Sequence, residues 1–161
     1  MKRPPEYFRA GAGAIIINGK GMVLALERAG IEGAWQLPQG GLKRGEEPFE
    51  AVCREVAEET GINKGDLELL GRAPEPLVYE LPNEARSEKT GLGQVQYWFL
   101  FRFHGRDSCI DPEKGGEFRA WRWLPFSELI DLTVEFRRPV YRRLGGIFHE
   151  YLDGEHWKPE E

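Results

Sequence analysis

Apolar positions recur along the chain with two different spacings, and the switch between them separates strands from helices. Residues 14–18 and 22–26 are short apolar runs divided by Gly19-Lys20-Gly21, which predicts a β-hairpin near the N-terminus. Residues 27–42 hold Gly30, Gly33, Pro38, Gly40 and Gly41, enough breakers to predict a loop without regular structure. A helix is expected over 48–60. Pro48 suits a first turn, where its missing N–H is no loss, and Gly61 suits the left-handed residue past the last turn. Within that helix Phe49, Val52, Cys53, Val56 and Thr60 share one stripe, expected to face the core. Further strands are predicted at 67–71, 77–81, 94–103, where Tyr97, Phe99, Phe101 and Phe103 alternate with other side chains, and 118–123. A short helix is expected over 125–130. A longer one over 139–152 places Tyr141, Leu144, Phe148 and Tyr151 at helical spacing, although Gly145-Gly146 are poor helix formers. Elements in this order give an α/β protein with a mixed sheet flanked by helices.

At 161 residues the chain fits one domain, 1–161, around one core, with a loose polar tail over 153–161. Its net charge of −5 argues against wholesale wrapping by nucleic acid, which needs many cations to neutralise phosphates, and no DNA partner is expected. Cys53 and Cys109 have neither the spacing nor the histidines of a zinc site, and they do not make a disulfide framework. The opening MKRPPEYFRAGAGAIII has no secretion-signal pattern, and no apolar run approaches the roughly 20 residues that span a bilayer. These features predict a soluble, cytoplasmic protein with no membrane partner.

The chemistry concentrates on the helix at 48–60. Glu55, Glu58 and Glu59 occupy an arc away from the apolar stripe, and their spacing brings neighbouring Cβ atoms within about 5 to 6 Å. Carboxylates so close repel one another unless a cation joins them, and a hard cation with oxygen ligands, Mg2+ or Mn2+, fits that need. An isolated REVAEE string reads as a solvated helix face. Here Gly40 and Gly41, where backbone can approach a ligand, precede the helix, and Glu46 stands just outside its start.

Residues 40–62, GGLKRGEEPFEAVCREVAEETGI, resemble the signature of the Nudix hydrolases, G-x5-E-x7-R-E-U-x-E-E-x-G-U with U a bulky aliphatic residue. Gly40, Glu46, Arg54, Glu55, Val56, Glu58, Glu59, Gly61 and Ile62 fill every specified position. The resemblance implies an α/β/α sandwich with a mixed sheet between helices, and attack of water on phosphorus in a nucleoside diphosphate joined to another group. It implies that Glu55, Glu58 and Glu59 bind metal, with the Gly40 carbonyl as a further ligand, while Glu46 and Arg54 brace the loop against the helix. The segments YFRAGAGAIII, AWQLPQGG, GQVQYWFLFRF, EFRAWRW and VEFRRPVYRRL are similar to one branch of that family, the bacterial RNA pyrophosphohydrolases and the diadenosine tetraphosphate hydrolases of bacterial and plant type. By that likeness Glu117 is an additional metal ligand or the base that takes a proton from the attacking water. Arg9 contacts phosphate, and Arg28 with Phe136 holds a base by stacking. Tyr79 aligns with a substrate-side aromatic, although Glu80 follows it where the branch has a basic residue. The loop NEARSEKTGL also lacks the tryptophan and basic character of the branch.

Gln39 is open to a turn role or a phosphate contact, and Trp35 and Gln36 are expected to pack or bond locally. The stretch FRRPVYRR gathers Arg137, Arg138, Arg142 and Arg143, either as a solvated face or as an electrostatic guide for polyphosphate or RNA. His104, His149 and His156 are not spaced as a metal set. The leading expectation is removal of pyrophosphate from 5′-triphosphorylated RNA or cleavage of dinucleoside polyphosphates, the substrate partner being a nucleotide or RNA. A second enzymatic reading is a house-cleaning hydrolase of modified nucleotides or nucleotide sugars. A reading of another class is a catalytically silent nucleotide or RNA sensor, against which the intact acid set argues, since a pure binder gains nothing from three repelling carboxylates.

Overall fold

A computed structural model describes residues 6–152, so the tail at 153–161 and His156 lie outside the described residues. Eight strands form a mixed sheet: β1 (Phe8–Ile17), β2 (Val23–Arg28), β3 (Trp35–Gln36), β4 (Gln39–Gly41), β5 (Leu67–Arg72), β6 (Leu77–Glu80), β7 (Gly93–Phe103) and β8 (Phe118–Leu124). The main order is β3-β2-β1-β7-β5, with β4 on β1, β6 on β7 and β8 on β2. Only β1 and β7 run parallel, from Phe8 opposite Gly93 to Ile17 opposite Arg102. That pairing lengthens β1 beyond its apolar run, drawing Arg9, Ala10 and Gly11 into the sheet without any local hydrophobic signal.

The hairpin forms as expected, with Ile17 opposite Val23 and Asn18 closing the turn by accepting the N–H groups of Lys20 and Met22 at 2.9 and 3.1 Å. The loop expected over 27–42 is corrected, since it contains the end of β2 together with β3 and β4. Glycine at 40 and 41 does not forbid extended backbone, and β1 supplies the partner, with Gly11, Ala12 and Gly13 opposite Gly41, Gly40 and Gln39. Pro38 needs no donor there because only its carbonyl is used, accepting Ala14 N–H at 2.9 Å.

The helix α1 (Pro48–Thr60) has the predicted bounds, and Gly61 closes it in the left-handed conformation at φ 75°, donating to Ala57 O at 3.0 Å. Val52, Val56 and Thr60 are buried as expected, but Phe49 and Cys53 are only half-buried, while Ala51 and Glu59 are buried too. The buried face is therefore turned toward Glu59, which the helical spacing placed on the polar arc. α1 packs on one side of the sheet against Ala12, Ala14, Ile16, Phe99 and Phe101. On the other side α2 (Phe126–Leu132) and α3 (Arg138–Ile147) bury Phe126, Leu129, Val140, Tyr141 and Leu144 against Ile15, Ile17, Trp98 and Leu100. Each such side chain contributes about 1.5–3 kcal/mol. Being covered on both sides, β7 is apolar at successive positions 98–101. The layers are the expected α/β/α sandwich. α3 stops at Ile147, not 152, directly after Gly145-Gly146, and Tyr151 is exposed where the helical spacing placed it inward.

Candidate active site

β4 and α1 meet face to face at the two glycines. A Cβ at Gly40 would overlap the Glu55 carboxylate, and one at Gly41 would overlap the Arg9 guanidinium, so only glycine lets both charged groups reach the backbone here. The loop between β4 and α1 is braced by Glu46 and Arg54. Arg54 donates through Nε and Nη2 to the two Glu46 oxygens at 2.8 and 2.9 Å, and Nη2 also reaches Gly41 O at 2.9 Å. Glu46 Oε1 accepts the Lys43 N–H at 2.9 Å. This paired geometry holds the Glu46 carboxyl down at about 2, with Arg54 as the main cause.

Arg54 Nη1 then turns along the helix to Glu55 at 2.7 Å and Glu58 at 3.3 Å. Burial raises the Glu55 carboxyl above its ordinary range despite Arg54. Glu59, only 4% exposed, is pushed well above that range, first by burial and then by the Glu55 charge. Its one backbone donor is Gln39 N–H, 3.0 Å from Oε2. Glu117 is exposed just ahead of β8, and its charge adds to the repulsion felt by half-buried Glu55 and buried Glu59. All four carboxylates line a hollow of about 190 Å³ with Gly115. Among the described residues no three His, Cys, Asp or Glu side chains already close on a common point, Arg54 holding Glu55 and Glu58 to itself. The chemistry of the set nevertheless fits a hard divalent cation: the donors are oxygens only, and two of them carry repulsion that such an ion relieves.

A second cleft of about 260 Å³ shares Glu55, Glu59 and Glu117 and extends past Gly40 to Arg9, Arg28, Gln39, Lys89, Gln94 and Arg137. Its lining combines these three carboxylates with four cationic side chains. Gln96, buried beneath, donates to Gln39 Oε1 at 2.8 Å and Gln94 Oε1 at 2.9 Å, and Tyr79 OH donates to Gln94 Oε1 at 3.1 Å. Gln39 thus has its backbone on Glu59 and its side chain on this amide floor. Gln36, buried, also lines the cleft, while Trp35 packs locally under the Arg122 guanidinium at 4.8 Å.

Arg28 lines the cleft itself. Phe136 instead stacks on Tyr79 with centroids 6.1 Å apart, and Arg137 lies 4.9 Å over the Phe136 ring. Arg137 lines the cleft, whereas Arg142 and Arg143 are exposed on α3. The loop that departs from the branch pattern supplies Lys89 and Thr90 to the cleft lining. Lys89, Gln94 and Gln96 carry little signal in the sequence, which shows only a pair of glutamines at alternate positions of a largely aromatic strand. His104 bonds Glu68 at 2.7 Å.

The chain matches the NUDIX domain over residues 7–144. It is 42% identical over 149 residues to the RNA pyrophosphohydrolase of Sphingopyxis alaskensis, covering 89% of this chain and 92% of that one. It is 35% identical over 162 residues to the chloroplastic Nudix hydrolase 26 of Arabidopsis thaliana, covering 94% and 74%. In fold it resembles the C. elegans Ap4A hydrolase binary complex, with a TM-score of 0.67 at 22% identity over 88% of this chain and 98% of that one. It likewise resembles the E. coli dihydroneopterin triphosphate pyrophosphohydrolase, with a TM-score of 0.69 at 22% identity over 86% and 97%.

Proposed function

The chain belongs to the Nudix family, whose hydrolases generally need divalent metal ions, and on that basis we propose that it is a magnesium-dependent pyrophosphohydrolase of nucleotide-type substrates. Its substrates on this reading are 5′-triphosphorylated RNA and dinucleoside polyphosphates, which present the same phosphate chain on a nucleoside. The observation that carries the reading is the cleft that gathers the carboxylates of Glu55, Glu59 and Glu117 with the cationic side chains of Arg9, Arg28, Lys89 and Arg137. The names of relatives such as the Sphingopyxis enzyme support RNA as a substrate.

Glu55, Glu58, Glu59 and Glu117 would hold the cation, with the Gly40 carbonyl beside them. Bound there, Mg2+ or Mn2+ would supply neutralisation of phosphate charge and a lowered pKa for a coordinated water. Glu117 would serve as a ligand ahead of a base, since it lines one hollow with Glu55, Glu58 and Glu59, a set of oxygen donors suited to a hard cation. If it is not a ligand, it is the group placed to take the proton from water. Arg9, Lys89 and Arg137 take the remaining negative charge of the phosphate chain, and Gln39 fixes the edge of that chain through its amide. Such donors are most effective when aimed before the reaction begins, and Glu46 and Arg54 provide that order for β4 and α1. Arg28 offers a flat cation to a nucleobase, with Phe136 and Tyr79 forming the wall behind Arg137. Cytoplasmic residence accords with the free thiols of Cys53 and Cys109, and among the described residues no helix is long and apolar enough to cross a membrane.

The test is a side-by-side panel of triphosphorylated RNA, diadenosine tetraphosphate and nucleotide sugars with Mg2+. Turnover of the first two is expected. Preference for nucleotide sugars would favour a house-cleaning role, and no turnover of any member would sink the enzymatic reading in favour of a silent binder.

A further inference from the structure

We propose that the ion pair between Glu27 and Arg119 is a positioning device that aims Glu117 and Arg28 into the cleft. The inference rests on the cation-binding hydrolase reading of that cleft. β2 and β8 stay in register from Val23 opposite Leu124 to Glu27 opposite Ala120; the register then breaks, Arg28 stands opposite Phe118, and Arg119 is left without a counterpart. An extra residue on one strand bends it and re-aims its neighbours, and such bulges recur beside active sites. The neighbours in this case are the cleft residues themselves, Arg28 immediately after Glu27 and Glu117 two positions before Arg119. Ala29 N–H donates to Glu117 O at 2.9 Å, which carries the shifted pairing one step past the break.

Backbone pairing alone does not select the bulged register over the straight one. In the straight register Arg119 would face Arg28 and Glu117 would face Gly30, with every side chain beyond the slip displaced by one position. The side chains of Glu27 and Arg119 supply the selection. Arg119 Nε–H donates to Glu27 Oε1 at 2.7 Å, and Glu27 Oε2 accepts Gly33 N–H at 2.9 Å. The Glu27 side chain is only 10% exposed, so a slip would strand a buried carboxylate without its cation. One carboxylate thereby pins the bulged residue of β8, the end of β2 and the turn that follows, in which Gly30 and Gly33 take φ of 82° and 80°.

The experiment measures Mn2+ affinity by titration, and kcat/KM on diadenosine tetraphosphate, for the parent, Arg119→Ala, Arg119→Lys, Glu27→Gln, Glu117→Gln and the Arg119→Ala/Glu117→Gln pair. Arg119→Ala is expected to weaken Mn2+ binding and lower kcat/KM by roughly tenfold or more, as loss of a partner behind a metal ligand does. Glu27→Gln, which keeps an acceptor for Gly33, is expected to reproduce that loss, and Arg119→Lys to reverse most of it. In the Glu117→Gln background, Arg119→Ala is expected to change Mn2+ affinity by no more than about twofold, the scatter of non-interacting sites. Parent-like Mn2+ affinity in both Arg119→Ala and Glu27→Gln overturns the proposal, as does a loss that adds in full to that of Glu117→Gln. If the parent turns over no phosphate anhydride, the hydrolase reading fails while the Mn2+ cycle still decides the role of Arg119.

Discussion

Glu59 and Glu46 show how neighbouring residues of one type acquire opposite roles. Glu59 is buried beside Glu55, and its carboxyl lies well above the ordinary range. An acid whose pKa is higher folded than unfolded favours the folded state at low pH, and that stabilisation is lost as pH rises through the folded value. Free of divalent cations, the parent should therefore gain thermal stability as pH falls toward the unfolded value of 4.5. Glu59→Gln should flatten that slope and raise stability at neutral pH, as followed by melting temperature against pH; a parent slope unchanged by the substitution would assign the repulsion elsewhere. Glu46 has the opposite sign. Its carboxyl sits at about 2 folded against 4.5 otherwise, so its contribution is present above pH 4.5 and lost as pH falls toward 2. Urea midpoints for Glu46→Gln should lack the parent's decline across that window, and an undiminished decline would mean that Arg54 contributes little there.

At the scale of elements, the site depends on a link between helix and sheet that contains none of the signature residues. Tyr141 of α3 is fully buried, and its hydroxyl, raised to about 12 chiefly by burial, accepts the Leu37 N–H at 2.9 Å. That bond holds the segment leading into β4, which carries Gln39 and Gly40. Tyr141→Phe leaves a buried donor unpaired and should cost about 1–3 kcal/mol in chemical denaturation, with KM or metal affinity changed as well because β4 loosens. A variant of parent stability would remove Tyr141 from this role. The same elements explain what the sequence disclosed. α1 was legible to its last residue because Pro48 and Gly61 act locally at its two ends. β3 and β4 were not, since Gly40 and Gly41 become strand only when β1 pairs with them. α3 was extended too far because the apolar spacing of Phe148 and Tyr151 outweighed the poor helix propensity of Gly145-Gly146. Glu55, Glu58 and Glu59 were legible from spacing, but the burial of Glu59 follows from how α1 docks.

The whole molecule places a cation-seeking acidic hollow next to a cationic wall, one built from α1 and the start of β8, the other from β1, the end of β2, the 83–92 loop and the start of α3. Glu55, Glu58 and Glu59 were visible in one contiguous segment, whereas Glu117 and the cationic side chains are scattered along the chain, and Lys89, Gln94 and Arg137 meet only in the folded chain. Both halves serve hydrolysis only if the cation and the acids act together. The decisive measurement is turnover of triphosphorylated RNA and diadenosine tetraphosphate by the parent, Glu58→Gln and Glu59→Gln, each titrated with Mg2+. The expected result is magnesium-dependent turnover by the parent and a loss of several orders of magnitude in both variants, with their folds intact. Turnover that ignores Mg2+, or variants within about tenfold of the parent, equivalent to ~1.4 kcal/mol, would contradict it.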